Sequence, residues 1–353
     1  MKTDHILIIR FSAMGDVAMT VPVVSALAHQ YPALRITVLS RPFARVFFEG
    51  LAPNVGFMGA DLKGEYHGIK GLNALYRRLI AKNFTAIADF HAILRSSYLR
   101  MRFNIARFRV AHINKHRAER RALTAQGSKK RLQPIPSSFE AYADVLAELG
   151  YPIKPEFTSI FTDTDGSLFA TVAHLIGDRP EGQKWIGIAP FAAHQGKVYP
   201  VEKMEQVINL LTQQMPQCRI FLFGGGKDEQ AVFEQWQQRY PACTNASAVM
   251  GGLHGELVLM SRLDVMLSMD SANMHLASLV GTKVVSIWGA THPYAGFMGW
   301  NQSIDNAVQV DLPCRPCSIY GNKPCTQGNY PCMNNILPQQ VVEKIINVIH
   351  HNS

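Results

Sequence analysis

The sequence predicts an α/β chain of two doubly wound halves, each a parallel sheet flanked by helices. Three observations predict it. Short β-branched apolar runs alternate with helical patterns twice along the chain, the mark of βαβ units. The alternation breaks once, in the Pro-, Thr- and Asp-rich stretch from Tyr151 to Gly166. With 353 residues, 47% of them apolar and 17% charged, the chain suits two globular domains better than one core or a disordered polymer.

The first strand is His5–Arg10, a run with no helical period, followed by the loop FSAMGD and a helix from Val17 to Gln30. Pro22 falls near enough to the start of that helix to be tolerated. Further strands are expected at Arg35–Ser40, Val55–Met58, Thr85–Phe90 and Ile105–Ala111, with a helix at Leu72–Lys82 and a Ser-capped one at Ser137–Gly150. After the break come strands at Trp185–Ala189, Arg219–Phe223, Val265–Ser268 and Val284–Trp288. Between them lie helices at Val201–Gln214, Asp228–Arg239, Gly255–Arg262 and Ala272–Val280, and an amphipathic helix at Gln339–His350 closes the chain. The expected domains are 1–160 and 161–337, with the segment 338–353 packing back on the first. Ligands of such sheets bind at the carboxyl ends of the strands, which puts the expected site in a cleft between the halves.

The formal net charge of +9 is concentrated: Arg95 to Arg131 holds twelve Lys or Arg and one acid, Glu119. A localised anionic partner is the natural reading, and a solvated basic face is the plainer alternative. No run of eighteen apolar residues is present, and Asp4, Arg10 and Asp16 interrupt any signal-peptide core, so a cytoplasmic location is expected. Six cysteines in such a chain are read as thiols or metal ligands.

Chemistry is sought in the loops that follow strands. Ser12-Ala13-Met14-Gly15-Asp16 opens a helix after the first strand, where backbone N–H groups approach an anion; with a single glycine it is not the dinucleotide fingerprint. Asp16 is either a helix cap or a general base. Met269 to His275 follows an apolar strand and opens a helix, so Asp270, Ser271, Ala272, Asn273 and His275 are candidates for holding a phosphate. Gly224 and Gly225, with Asp228 and Glu229 beyond them, form a third such loop, and Lys197 lies in a fourth, Pro190 to Pro200. Three polar loops after three strands of one half are what a nucleotide-binding crevice needs. Asp163-Thr164-Asp165 spells a metal-type Asp-x-Asp motif but lies in the linker. Cys314, Cys317, Cys325 and Cys332 are either thiolate ligands for zinc or reduced thiols in an irregular loop.

The combination resembles the ADP-heptose:lipopolysaccharide heptosyltransferases, glycosyltransferase family nine. ILIIRFSAMGDVAMTVPVVSAL is similar to the family's opening strand, Gly-Asp loop and Pro-containing helix. Asp89-Phe90-His91 with Arg95-Ser96 resembles its next landmark, and SMDSANMHLASLVGTKVVSIWGATHP its most specific motif, though Ala272 stands where the family pattern has glycine. The resemblance implies a GT-B fold, two Rossmann-like domains facing each other across a cleft, and an inverting transfer of heptose from ADP-heptose to a lipopolysaccharide core or lipid A-type acceptor. It implies Asp16 as the base, Lys197 on phosphate, Glu229 or Asp228 on ribose, and Ser12, Gly15, His91 and Arg95 on the acceptor side. No cofactor is required beyond the sugar nucleotide, and no specific nucleic acid is expected. The basic segment suits a phosphorylated glycolipid at the inner membrane face. Oligomeric state is not legible. Two other readings stay open: another GT-B enzyme with a different donor, and a non-catalytic nucleotide- or nucleic-acid-binding protein.

Overall fold

The computed structural model describes residues 4–161 and 167–351, so Asp163-Thr164-Asp165 lies outside the described residues. The chain divides into two compact units: Met1–Lys115 with Pro136–Ile160, and His116–Ile135 with Phe161–Ser353.

In the first unit β1 (His5–Ile9), β2 (Arg35–Ser40), β3 (Val55–Gly59), β4 (Ala86–Asp89) and β5 (Arg109–His112) form a parallel sheet in the order β3-β2-β1-β4-β5. β1 is buried along its whole length because it has a strand on each side and helices on both faces, which is why it reads as an unbroken apolar run. The edge strands β3 and β5 are only partly covered. The connections are α1 (Met14–Ala18), α2 (Val21–Gln30), α3 (Arg45–Phe48), α4 (Gly68–Ile80) and α5 (Leu94–Ile105). The chain then leaves for α6 (Arg117–Leu123) in the second unit and returns for α7 (Ser138–Glu148). Ser137 caps α7 through its Oγ, which accepts from the Glu140 N–H at 3.2 Å, while the Glu140 carboxylate accepts from the Ser137 N–H at 2.7 Å.

The single helix expected over Val17–Gln30 is two. Pro22 has no N–H for the carbonyl a turn earlier, so the helix breaks at Met19-Thr20 and Pro22 sits in the first turn of α2. The strand expected from Ile105 begins only at Arg109, because the Leu99 and Phe103 side chains carry α5 on to Ile105 by burying one of its faces.

The second unit has β6 (Trp185–Ala189), β7 (Arg219–Leu222), β8 (Cys243–Asn245), β9 (Val265–Met269), β10 (Val284–Ile287) and β11 (Ala307–Val308), all parallel, in the order β11-β10-β9-β6-β7-β8. Its further helices are α8 (Ser167–Ile176), α9 (Val201–Gln214), α10 (Lys227–Arg239), α11 (Ala246–Val249), α12 (Leu253–Met260), α13 (Ala272–Leu279), α14 (Pro331–Asn334) and α15 (Pro338–His350). Strands β8 and β11 have no counterpart in the sequence reading, being only three and two residues long. The closing helix α15, expected against the first half, is part of the second unit: Val341, Val342, Ile345 and Ile349 join Met204, Val207, Ile208 and Leu211 of α9 in its core. Its apolar stripe matches that of α9, and both cover one face of the same sheet.

In each sheet the strand order reverses beside the first strand, between β1 and β4 and between β6 and β9. Helices leave to opposite faces there, and the separating loops open a crevice at the carboxyl ends. The two switch points single out the loops after β1 and β4, and after β6 and β9.

Candidate active site

At the first switch point Asp16 is the third residue of α1, and its Oδ2 accepts from the Ala13 N–H at 3.0 Å, closing the turn. The same oxygen meets Arg10 Nη2 at 2.8 Å. Arg10, the residue after β1, is buried and also donates from Nη1 to the Phe90 carbonyl at 2.7 Å, so one guanidinium ties the loop after β1 to the loop after β4. The Asp16 side chain is still 31% exposed. His91 is buried beside it. Its Nδ1 accepts from the Phe11 N–H at 3.3 Å, leaving the Nε2 position as the donor. Burial, and then the positive charge of Arg10, push the His91 pKa down to about 3, so the ring is neutral.

The His91 turn is built by Asp89. Fully buried at the end of β4, it accepts from the His91 and Ala92 N–H groups through Oδ1 at 3.0 and 2.9 Å, and pairs with Arg100 through Oδ2 at 3.3 Å. That brace holds Ala92 at φ 48, a left-handed conformation that costs an alanine energy. Of the other residues expected here, Ser12 is half-buried, Gly15 buried and Arg95 exposed at the start of α5. Asp89 was named in the sequence only as part of a landmark and Arg10 only as a charge in the first strand; neither was given a site role, although a charge ending an apolar strand is a buried group in search of a partner.

At the second switch point Lys197 Nζ meets Asp270 Oδ2 at 2.8 Å, with both side chains largely buried. The pair joins the loop after β6 to the loop after β9, which the sequence could nominate only separately. Ser271 is the N-cap of α13, but its side chain makes no cap bond; Ser268 Oγ lies 3.3 Å from Ser271 Oγ instead. The first-turn N–H groups of α13 therefore point onward without a side-chain cap. Ala272 is the first helical residue and is not in the left-handed region, so alanine replaces glycine there without strain. Asn273 is half-buried and His275 buried in the first turns.

The glycine loop after β7 is differently engaged. Glu229 Oε2 accepts from the Gly225 and Gly226 N–H groups at 2.7 and 3.1 Å, capping its own helix, and the Gly224 N–H donates to Ser247 Oγ at 3.0 Å. Asp228 stays exposed in the same turn.

The family model for glycosyltransferase family 9 (heptosyltransferase) matches residues 72–329. The chain belongs to glycosyltransferase family 9. It is 23% identical over 310 residues to the lipopolysaccharide core heptosyltransferase OpsX of Haemophilus influenzae, covering 86% of this chain and 83% of that protein. It is 26% identical over 139 residues to lipooligosaccharide heptosyltransferase 2 of Campylobacter jejuni, covering 38% of this chain; that match spans only 41% of the Campylobacter protein. Among solved structures, a family 9 glycosyl transferase of Veillonella parvula superposes over 99% of both chains with a TM-score of 0.72 at 18% identity. The E. coli ADP-heptose lps heptosyltransferase II does so over 99% of both with a TM-score of 0.68 at 16% identity. These likenesses show the GT-B-like α/β fold.

In this family 9 chain the loop after β10 is held by a residue absent from the sequence reading. Arg315 is buried and donates to the Trp288 and Thr291 carbonyls at 3.1 Å each, and also to Gly289 O, Val310 O and Gln309 Oε1. No periodicity could flag it, since it sits in an irregular loop between two cysteines. The same loop packs under Lys197: Gly321, at φ +74, lies where an added Cβ would come within 2.6 Å of Lys197 Cγ. Gly196 backs onto the Gly321 carbonyl, whose oxygen would lie 2.7 Å from a Cβ added there. Cys314, Cys317 and Cys325 are half-buried free thiols and Cys332 a buried one, raised to about 11 by burial. Among the described residues no three His, Cys, Asp or Glu side chains are placed to share a metal ion. A groove lined by Lys283, Gln302, Asp305 and Lys344 opens at the amino end of the second sheet, the end away from the switch point.

Proposed function

We propose that the chain is an inverting heptosyltransferase that moves heptose from ADP-heptose to a lipopolysaccharide-core acceptor. The observation that carries the reading is the Lys197–Asp270 pair beside the uncapped start of α13, at the switch point of the second unit. An ammonium has three N–H donors, and with one on Asp270 two are left for a diphosphate. Together with the α13 N-terminus they stabilise the charge that builds on the departing ADP, so the scheme calls for no metal. Of the acids beside the glycine loop, exposed Asp228 is the one left for ribose hydroxyls, because Glu229 caps its helix.

In the first unit Asp16 takes the proton from the acceptor hydroxyl as that oxygen attacks the anomeric carbon, and the bond to the diphosphate oxygen breaks on the opposite side. Arg10 fixes the carboxylate, and neutral His91 offers an N–H donor to the acceptor with Ser12, Gly15 and Arg95 around it. The acceptor is a phosphorylated glycolipid presented at the inner membrane face, reached by a peripheral, cytoplasmic enzyme; among the described residues no helix is long and apolar enough to cross a membrane.

The test is a donor screen with ADP-, UDP- and GDP-sugars, read by mass spectrometry on a deacylated core acceptor. Transfer is expected from ADP-heptose, and equal use of a UDP- or GDP-hexose would defeat the donor assignment. Asp16→Asn is expected to lower turnover by about 10²–10⁴-fold while donor Kd stays within about twofold; near-normal turnover would remove Asp16 from its role.

A further inference from the structure

Helix α5 is apolar on two opposite sides. Ser96, Leu99 and Phe103 face the core. Leu94, Met101 and Ile105 fall within about 40° of one another around the helix axis at 3.6 residues per turn, on the side away from that core. All three are exposed, Leu94 at 90% and Ile105 at 72%. Helix α4 adds two more exposed apolar side chains, Ile69 at 68% and Ile80. Single exposed leucines need no explanation, but a stripe along one helix with flanking residues on its neighbour does.

The same two helices carry no acid. They hold six cations: Lys70, Arg77, Arg78, Arg95, Arg100 and Arg102. Arg100 is used by Asp89 and Arg78 by Glu65, while no ion pair among the described residues engages Lys70, Arg77, Arg95 or Arg102. Lys70, Asn73, Arg77 and Arg102 line a recess between the helices. Arg102 is set there by its stack on Tyr76, 4.5 Å from the ring centroid, and by its bond to Asn73.

We infer that the α4–α5 face docks the chain on a bilayer containing anionic phospholipid, the stripe entering the acyl boundary and the recess taking lipid phosphates. A surface combining exposed aliphatic side chains with four cations outside any ion pair among the described residues, on two helices that carry no acid, fits that partner by charge and by polarity. The stripe begins three residues after His91, at the carboxyl end of the sheet where Asp16 lies, so its first residue, Leu94, lies at the end where a lipid-linked acceptor is needed, and Met101 and Ile105 follow along the helix as it runs back toward β5. This rests on the proposed lipid-linked acceptor, and it divides the basic stretch 95–131: only its first part, on α5, serves the membrane.

The experiment is co-sedimentation of the full chain with phosphatidylethanolamine–phosphatidylglycerol vesicles and with phosphatidylcholine vesicles. The wild type is expected to bind the anionic vesicles and much less the neutral ones. Lys70→Glu with Arg77→Glu should weaken binding about thirtyfold or more, at roughly 1 kcal/mol per cation. The triple variant Leu94→Ser, Met101→Ser, Ile105→Ser should lose binding at least tenfold, and both variants should keep wild-type transfer to a deacylated, water-soluble acceptor. Wild-type protein that ignores anionic vesicles, or variants that bind as well as it does, would overturn the inference. So would a dimer in light scattering that the triple variant dissolves while vesicle binding persists, since the stripe would then cover a second copy. Vesicle binding that maps to this face without any transfer to the soluble acceptor would leave the docking surface standing and remove the catalytic reading alone.

Discussion

Two buried histidines make the molecule sensitive to acid. His91 is held to about 3 and His292 to about 4, in both cases first by burial and then by a neighbouring arginine, Arg10 or Arg315. Both values lie below that of an unfolded histidine, so as pH falls below about 6.5 the unfolded chain takes up protons that the folded chain refuses. Stability is therefore fully present above about pH 6.5 and is lost progressively as pH falls, toward about 4 for the His292 contribution and about 3 for that of His91. The imidazole resonances of both residues are expected to stay at their neutral positions at about pH 5 while the melting midpoint falls between about pH 7 and pH 5. A histidine that titrates near 6.5 would contradict the burial argument for that site. His91 and Asp89 were legible in the sequence as parts of one landmark, but the brace that Asp89 makes was not, nor were the roles of Arg10 and Arg315. Periodicity assigns charges to the surface, and only tertiary pairing reveals a charge that is buried because its partner waits 80 residues away.

At the scale of elements, the strand-end loops of the second unit are stiffened from outside the sheet. Arg315 gathers carbonyls from Trp288 to Thr291, and the glycines at 196 and 321 let two loops close on the stem of Lys197. Arg315→Met keeps much of the side-chain volume and removes every donor, leaving buried carbonyls unmet. Its expected signature is a donor KM raised about tenfold or more with a smaller change in kcat, and Arg315→Lys should not restore it, because three donors on a point charge cannot match the planar fork. An unchanged donor KM in Arg315→Met would mean that the loop holds itself. Strand and helix types were readable here from apolar runs and turn residues, and most boundaries fell within a residue or two, as for β6 and α9. The errors came where local rules compete: Pro22 split a helix whose apolar pattern ran on, and α5 reaches Ile105, where a strand was expected to start, so that β5 begins only at Arg109. Two-residue β11 is created by pairing with β10, and no sequence window contains that information.

For the whole molecule, the two halves were visible as two rounds of alternation, but their membership was not. The segment His116–Ile135 belongs to the second unit although it precedes the last helix of the first. Arg120 lies over Phe297 at 5.1 Å and donates to Tyr320 Oη at 2.8 Å; Lys130 donates to the Pro313 carbonyl at 3.0 Å, and the Ile135 N–H to the Tyr294 carbonyl at 3.0 Å. Two cations of the basic run, Arg120 and Lys130, are therefore half-buried and engaged within the protein, which net charge alone cannot disclose. Arg120→Ala with Lys130→Ala is expected to destabilise the second unit by about 1–3 kcal/mol. Hydrogen exchange should show faster opening of β9 and β10, with β1 and β4 unaffected. Equal acceleration in both sheets would mean that the segment stabilises the molecule at large.

That membership bears on how such chains recombine. A crossover in the linker near residue 160 is the obvious place to exchange the whole second half between relatives. It would in fact leave twenty residues of that half behind, encoded upstream of the cut, and the imported half would have to accept a foreign clasp at Tyr294, Phe297 and Tyr320. Inheritance of the second unit is discontinuous in the gene, and a working hybrid needs two exchanged segments, 116–135 together with everything after 160.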